Sequence, residues 1–183
     1  MNTKIIFMRK IVYSIILLSV LSCNKTRKPD SFLNSGNETF QPDSYELKDN
    51  NIKLVRGQIL YMPIYSNMPH YMDSAKFDMS AFVAFHNTDF THKIILQKVQ
   101  YFDTKGKMVR DYLLETKKIL APLETADFYV PYQDQSGTGA NFLIEWKSDS
   151  LVTEPLVESV TINLLSHNSV GVLSTGKVIK ELK

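Results

Sequence analysis

The chain has 183 residues, 44% apolar and 22% charged, with seven glycines, seven prolines and a single cysteine. It is long enough for one domain with a real core, and its composition excludes a low-complexity chain and a disulfide framework. The formal charge is +2, but Lys4, Arg9 and Lys10 precede residue 22; beyond them 18 basic residues face 19 acidic ones, a balance that lacks the basic face a nucleic-acid partner needs.

Residues 1–22 read as a signal peptide. Lys4, Arg9 and Lys10 form a charged start, Ile11 to Leu21 an apolar run, and Ser22 is the small residue before the cut. A spanning helix needs about 20 apolar residues, and this run is shorter and stops at Asn24-Lys25-Thr26-Arg27-Lys28. Val20-Leu21-Ser22-Cys23 resembles the lipobox of bacterial lipoproteins, with Leu21 where a smaller residue is usual. The resemblance implies cleavage before Cys23, lipidation of its thiol by a diacylglycerol, and an amide-linked acyl chain such as palmitate. More than one hydrocarbon chain makes such anchoring stable. Asn24 is not the acidic residue that favours retention in the inner membrane, so the expected location is the outer membrane, facing the periplasm. Once Cys23 is lipidated, the exported domain has no thiol for a disulfide and depends on packing.

Residues 23–51 read as the lipidated Cys23 and a flexible tether. The stretch is rich in Asn, Ser, Asp, Lys and Pro, and Phe32, Leu33, Phe40, Tyr45 and Leu47 keep no period. As a coil it would hold the domain on the order of 30 Å from the membrane.

Residues 52–183 read as one β-domain. Phe77, Met79, Ala81, Val83 and Phe85 alternate with Asp78 and Ser80. Ile94 to Phe102 and Met108 to Leu114 flank Asp103-Thr104-Lys105-Gly106, the chemistry of a tight hairpin. Ala121-Pro122-Leu123-Glu124 breaks the chain before Thr125 to Tyr132. Phe142, Ile144 and Trp146 share one face of the next strand, which places Trp146 in a core. Leu156 to Leu165 and Val170 to Ile179 complete about eight strands at sandwich-like spacing. No window carries a long amphipathic helix and no βαβ alternation is present. The expected class is all-β, an antiparallel β-sandwich, immunoglobulin-like in outline, with a closed barrel as the alternative.

Several stretches resemble a bacterial family known as domain of unknown function 3124. They are Tyr61-Met62-Pro63-Ile64-Tyr65-Ser66, His86-Asn87-Thr88-Asp89, Tyr101 to Tyr112 and Leu120-Ala121-Pro122-Leu123. The most specific are Ser136 to Trp146 and Glu154 to Glu158. Met68-Pro69-His70-Tyr71-Met72 is richer in Met than the resemblance leads one to expect. The resemblance implies an exported, often lipid-anchored domain and carries no activity and no catalytic residues.

The candidate ligand-binding residues are Asp134, Ser136, Gly137, Gly139 and Asn141. Two glycines with Ser and Thr beside them can turn backbone N–H groups inward as a nest for an anion or carbonyl, framed by Asp134 and Asn141. A structured turn uses the same residue types. Ser136 lacks the preceding Gly-x of a nucleophile elbow, and Gly176-Lys177 is followed by Val178 where a P-loop has Ser or Thr. Met68, His70 and Met72 would share a side if extended and suit Cu(I), whereas Met side chains also fill irregular gaps. His70, His86, His92 and His167 have no zinc spacing. Glu145, Glu154, Glu158 and Asp149 are carboxylates without a sequence spacing diagnostic of glycoside hydrolysis.

These readings lead to a membrane-anchored envelope lipoprotein whose β-sandwich is a non-catalytic module. It is expected to bind a protein, peptide or envelope component through loops or an exposed edge strand. No catalytic residue, cofactor, metal or nucleic-acid partner is expected, and Cys23 is the lipidation site. The alternative is an envelope hydrolase or metal-handling protein using the Ser136–Asn141 loop or the Met68–Met72 segment.

Overall fold

The computed structural model describes residue 40 and residues 53–69, 76–114, 116–163 and 169–182. Cys23, most of the stretch read as a tether, His70, Met72 and His167 lie outside the described residues. Among the described residues the chain is all-β, and its strands pair antiparallel. In order they are β1 (Arg56–Ile64), β2 (Asn67–Pro69), β3 (Lys76–Asp78), β4 (Ser80–His86), β5 (Ile94–Phe102) and β6 (Met108–Asp111). There follow β7 (Lys118–Leu120), β8 (Thr125–Val130), β9 (Ala140–Ser148), β10 (Leu156–Asn163), β11 (Val170–Thr175) and β12 (Lys177–Leu182).

The strands form an antiparallel β-sandwich. One sheet runs β12-β1-β9-β5-β6, with β7 sharing the same edge of β5 as β6. The other runs β11-β10-β4-β8, and β2-β3 is a separate ribbon. The long alternating segment expected from Phe77 is two strands. The backbone turns aside at Met79, whose N–H donates to the Ser66 carbonyl. The expected hairpin is present between β5 and β6. Gly106 takes a φ of +74°, and Asp103 Oδ1 accepts the N–H groups of Lys105 and Lys107.

Between the sheets lies the main core. The six-stranded sheet supplies large side chains, with Trp146, Phe142, Tyr101, Met62 and Ile64 at most 2% exposed. The four-stranded sheet supplies Phe85 and Phe128 and, beside them, smaller side chains, among them Ala81, Val83, Ala126 and Val130. Large side chains facing small ones let two sheets approach without voids. β11 and β12 are nearly continuous, and the chain changes sheets at Gly176. There the N–H donates to the Val157 carbonyl, and a Cβ would sit 3.2 Å from Val157 Cβ and 3.4 Å from Met62 Cε.

The outer face of the six-stranded sheet carries a second cluster of Ile59, Phe102, Leu143 and Leu182. Phe40, within the stretch read as a tether, is seated there. Its ring meets Phe102 edge-on at 6.0 Å, and its N–H donates to the Gly106 carbonyl at 3.1 Å. Beside this cluster Glu145 lies between Lys147 at 3.7 Å and Lys98 at 3.9 Å. Burial pushes the Glu145 carboxyl up and the Lys147 ammonium down, each partly offset by the opposite charge beside it.

Candidate functional site

The stretch from Asp134 to Asn141 covers the loop after β8 and the first two residues of β9, and its loop part is tied to two distant segments. Asp134 Oδ1 accepts the Tyr101 hydroxyl at 2.8 Å and the Ser136 N–H at 3.0 Å. The Gly137 N–H donates to Ser66 Oγ at 2.9 Å, and the Gly139 N–H to Thr104 Oγ1 at 3.1 Å. Thr104 in turn donates to the Ser136 carbonyl through both its N–H and its hydroxyl, each at 3.0 Å. Gly137 has a φ of +99°, outside the range side-chain-bearing residues favour. Burial and the Asp134 carboxylate push the Tyr101 hydroxyl well above its usual range, so it stays a proton donor.

The structure thus brings Asp134, Ser136, Gly137 and Gly139 together with Ser66, Tyr101 and Thr104. The N–H groups of Ser136, Gly137 and Gly139 all have acceptors within the protein. Asn141 stands apart, because it opposes Pro63 and Phe102 in the sheet and points away from the core face that Phe142 occupies. The four carboxylates also separate. Glu145 is on the outer face of the six-stranded sheet, Glu158 is on β10 of the other sheet, Glu154 pairs with Arg56 at 3.2 Å, and Asp149 faces Lys93 at 3.9 Å. Among the described residues no three His, Cys, Asp or Glu side chains converge as a metal site.

Part of the His86-Asn87-Thr88-Asp89 stretch ties loops. Asn87 Nδ2 donates to the carbonyls of His92 and Ala121 at 2.9 Å and of Leu120 at 3.3 Å. Asp89 accepts the N–H groups of Thr91 and His92 on one oxygen and of Thr153 on the other, each at 2.8 Å. These three donors favour the ionised form and hold its carboxyl well below the ordinary range.

The feature that sequence reasoning missed is on the outer face of the four-stranded sheet. Tyr129 of β8 opposes Phe82 of β4, Phe82 opposes Val160 of β10, and Val160 opposes Leu173 of β11. The four side chains form one cross-strand row about 14 Å long at normal strand spacing. They are 52%, 44%, 40% and 80% exposed, respectively. Val157 of β10 points into the core and Glu158 out in the ordinary way, but from Ser159 to Thr161 the arrangement is inverted. Ser159 and Thr161 point inward, at most 1% exposed and with hydroxyls that lack hydrogen-bond partners, whereas Val160 and Leu156 point out. Leaving buried hydroxyls unpaired costs about 1–3 kcal/mol each, so the outward apolar face is maintained against a penalty inside. The one available sequence signal was Phe82, an aromatic at an outward position of an otherwise clean alternation.

The fold and this face define an all-β sandwich with an exposed apolar sheet surface. The chain belongs to the family described as Protein of unknown function (DUF3124), which matches residues 57–179. No curated protein matches the chain. Among solved structures, the crystal structure of Thermotoga maritima 1070 is similar at 7% identity over 66% of this chain and 92% of that chain, with a TM-score of 0.40.

Proposed function

We propose that the chain is a lipid-anchored lipoprotein of the bacterial cell envelope whose β-sandwich is a non-catalytic binding module. It docks an envelope protein or peptide on the outer face of the four-stranded sheet. The observation that carries this reading is the exposed row Tyr129–Phe82–Val160–Leu173, together with the unpaired hydroxyls left inside β10. Contiguous exposed apolar surface on a folded domain marks interaction sites, and amphipathic rings such as Tyr129 are favoured at them. The anchor is supported by the charged start, the apolar run and the Ser22-Cys23 junction. Lipid on Cys23 would hold the module at the outer membrane, where an envelope partner meets it.

The test is a photo-crosslinking amino acid placed at Phe82 of the full chain in intact bacteria. A discrete protein adduct at Phe82, absent when the same group replaces exposed Ile119 on β7 of the other sheet, is the expected result. No adduct at Phe82 beyond the Ile119 background overturns the docking face.

A further inference from the structure

We propose that β11 is the seam of a homodimer. A second copy of the chain adds its own β11 antiparallel to the first, and two four-stranded sheets become one of eight strands across a two-fold axis. The seam goes beyond the docking face above: it joins two such faces edge to edge and leaves the row itself exposed to an envelope partner.

The first argument is the free edge. β11 ends the order β11-β10-β4-β8, so its outer N–H and C=O groups have no strand beyond them among the described residues. Such an edge is a template for another chain, and proteins blunt edges with charges, prolines and bulges. The other strands bordering these sheets are blunted. β8 carries Asp127, β6 carries Arg110 and Asp111, and β7 carries Lys118. In the small ribbon, β2 carries Pro69 and β3 carries Lys76 and Asp78. β12 carries Lys177, Lys180 and Glu181. β11 reads Val-Gly-Val-Leu-Ser-Thr, with neither charge nor proline. The contrast with β12 is sharp because the two are one path of chain divided at Gly176. The half that borders the six-stranded sheet is protected, and the half that borders the four-stranded sheet is not.

The second argument is register. A two-fold axis perpendicular to the sheet pairs residues that point to the same face. Centred on Leu173, it sets Leu173 opposite its own copy, Val172 opposite Ser174, Gly171 opposite Thr175, and Ser169 opposite Lys177. No like charges meet, which is the condition cross-strand pairs must satisfy. The same register joins the two rows into a single apolar row of Tyr129, Phe82, Val160 and Leu173 from each copy, with the most exposed of them, Leu173, at its centre. A self-complementary patch of this kind is what an isologous interface requires. An uncharged strand offers nothing to select a charged foreign peptide, whereas it complements itself in full.

The test is a symmetric disulfide. Leu173→Cys is made in the full chain, with Tyr129→Cys at the far edge of the same row as control and the unaltered chain, carrying Cys23, as background. After mild oxidation of membranes, Leu173→Cys is expected to run mainly at twice the monomer mass without reductant, and Tyr129→Cys and the unaltered chain at the monomer mass. A second variant, Leu173→Lys, should halve the mass of the detergent-solubilised protein by light scattering while its far-UV circular dichroism keeps the β signature of the unaltered chain. Equal dimer yield from Leu173→Cys and Tyr129→Cys overturns the seam, as does an unchanged mass for Leu173→Lys. Phe82 adducts to a different protein without the Leu173 disulfide overturn the homodimer and leave the docking face standing. Absence of both overturns the two together.

Discussion

Replacing Gly137 with Ala tests whether the loop before β9 is built from backbone constraints. Two costs are legible at this position. Its φ of +99° is strained for an L-residue, at about 1–2 kcal/mol. The added Cβ would also lie 2.5 Å from Thr104 Oγ1. Thr104 must then move, and that hydroxyl both donates to the Ser136 carbonyl and accepts the Gly139 N–H. Losing two such bonds costs about 1 kcal/mol each. The expected loss for Gly137→Ala is therefore roughly 3 kcal/mol, read as a lower urea midpoint at constant slope. Gly139 lies 35 residues from Thr104 in sequence, has no positive φ, and a Cβ there would sit 3.2 Å from Thr104 Cγ2 and 3.7 Å from its Oγ1, a contact a small shift relieves. Gly139→Ala should stay within about 1 kcal/mol of the unaltered chain. In a Thr104→Ala background the collision is gone, so Gly137→Ala should cost only its backbone strain, about 1–2 kcal/mol. The double-mutant cycle then returns a coupling of the remaining 1–2 kcal/mol or so. Equal costs at Gly137 and Gly139, or no coupling to Thr104, would refute the reasoning.

Trp146→Ala should destabilise by about 3–5 kcal/mol, because the ring is fully buried between the sheets; urea denaturation measures it, and a loss below about 1 kcal/mol would contradict the core position. The indole N–H has no partner, so Trp146→Phe should cost less than Trp146→Ala. Asp89 has a depressed carboxyl pKa in the folded chain, against an ordinary value of 3.8. As pH falls below about 4 the unfolded chain takes up that proton first, so stability drops with acid. Asp89→Asn should therefore lower the melting temperature at pH 7 and flatten its fall between pH 4 and 2. Parallel curves for the two proteins would show that Asp89 is not the group responsible. Cys23→Ser should abolish incorporation of a fatty-acid probe in growing cells; equal labelling would sink the anchor.

Local chemistry carried much of the fold. Asp103 and Gly106 wrote the hairpin between β5 and β6, because one side-chain acceptor and one positive φ close a turn whatever surrounds it. Ala81, Val83 and Phe85 wrote the inward face of one strand, and Phe142, Ile144 and Trp146 that of another, because a strand alternates its side chains with period two. Where two local patterns competed, sequence was not enough. On β10, Val160 and Leu156 make as good an apolar face as the one that is buried, and only pairing with β4 and β11 turns Ser159 and Thr161 inward. A one-residue slip in register would have reversed that strand.

The candidate loop shows the same division. Its glycines announced a turn, but the partners that occupy its N–H groups, Ser66 and Thr104, come from segments 71 and 35 residues away. The sequence by itself determined the all-β class, the core face of the aromatic strands, the tight turn and the signal-like start, since each is set by residues a few positions apart. The tertiary structure alone decided the strand order, the change of sheet at Gly176, and the alignment of Tyr129, Phe82, Val160 and Leu173 into one exposed row. Those depend on hydrogen-bond register between segments far apart in the chain, which no local preference specifies.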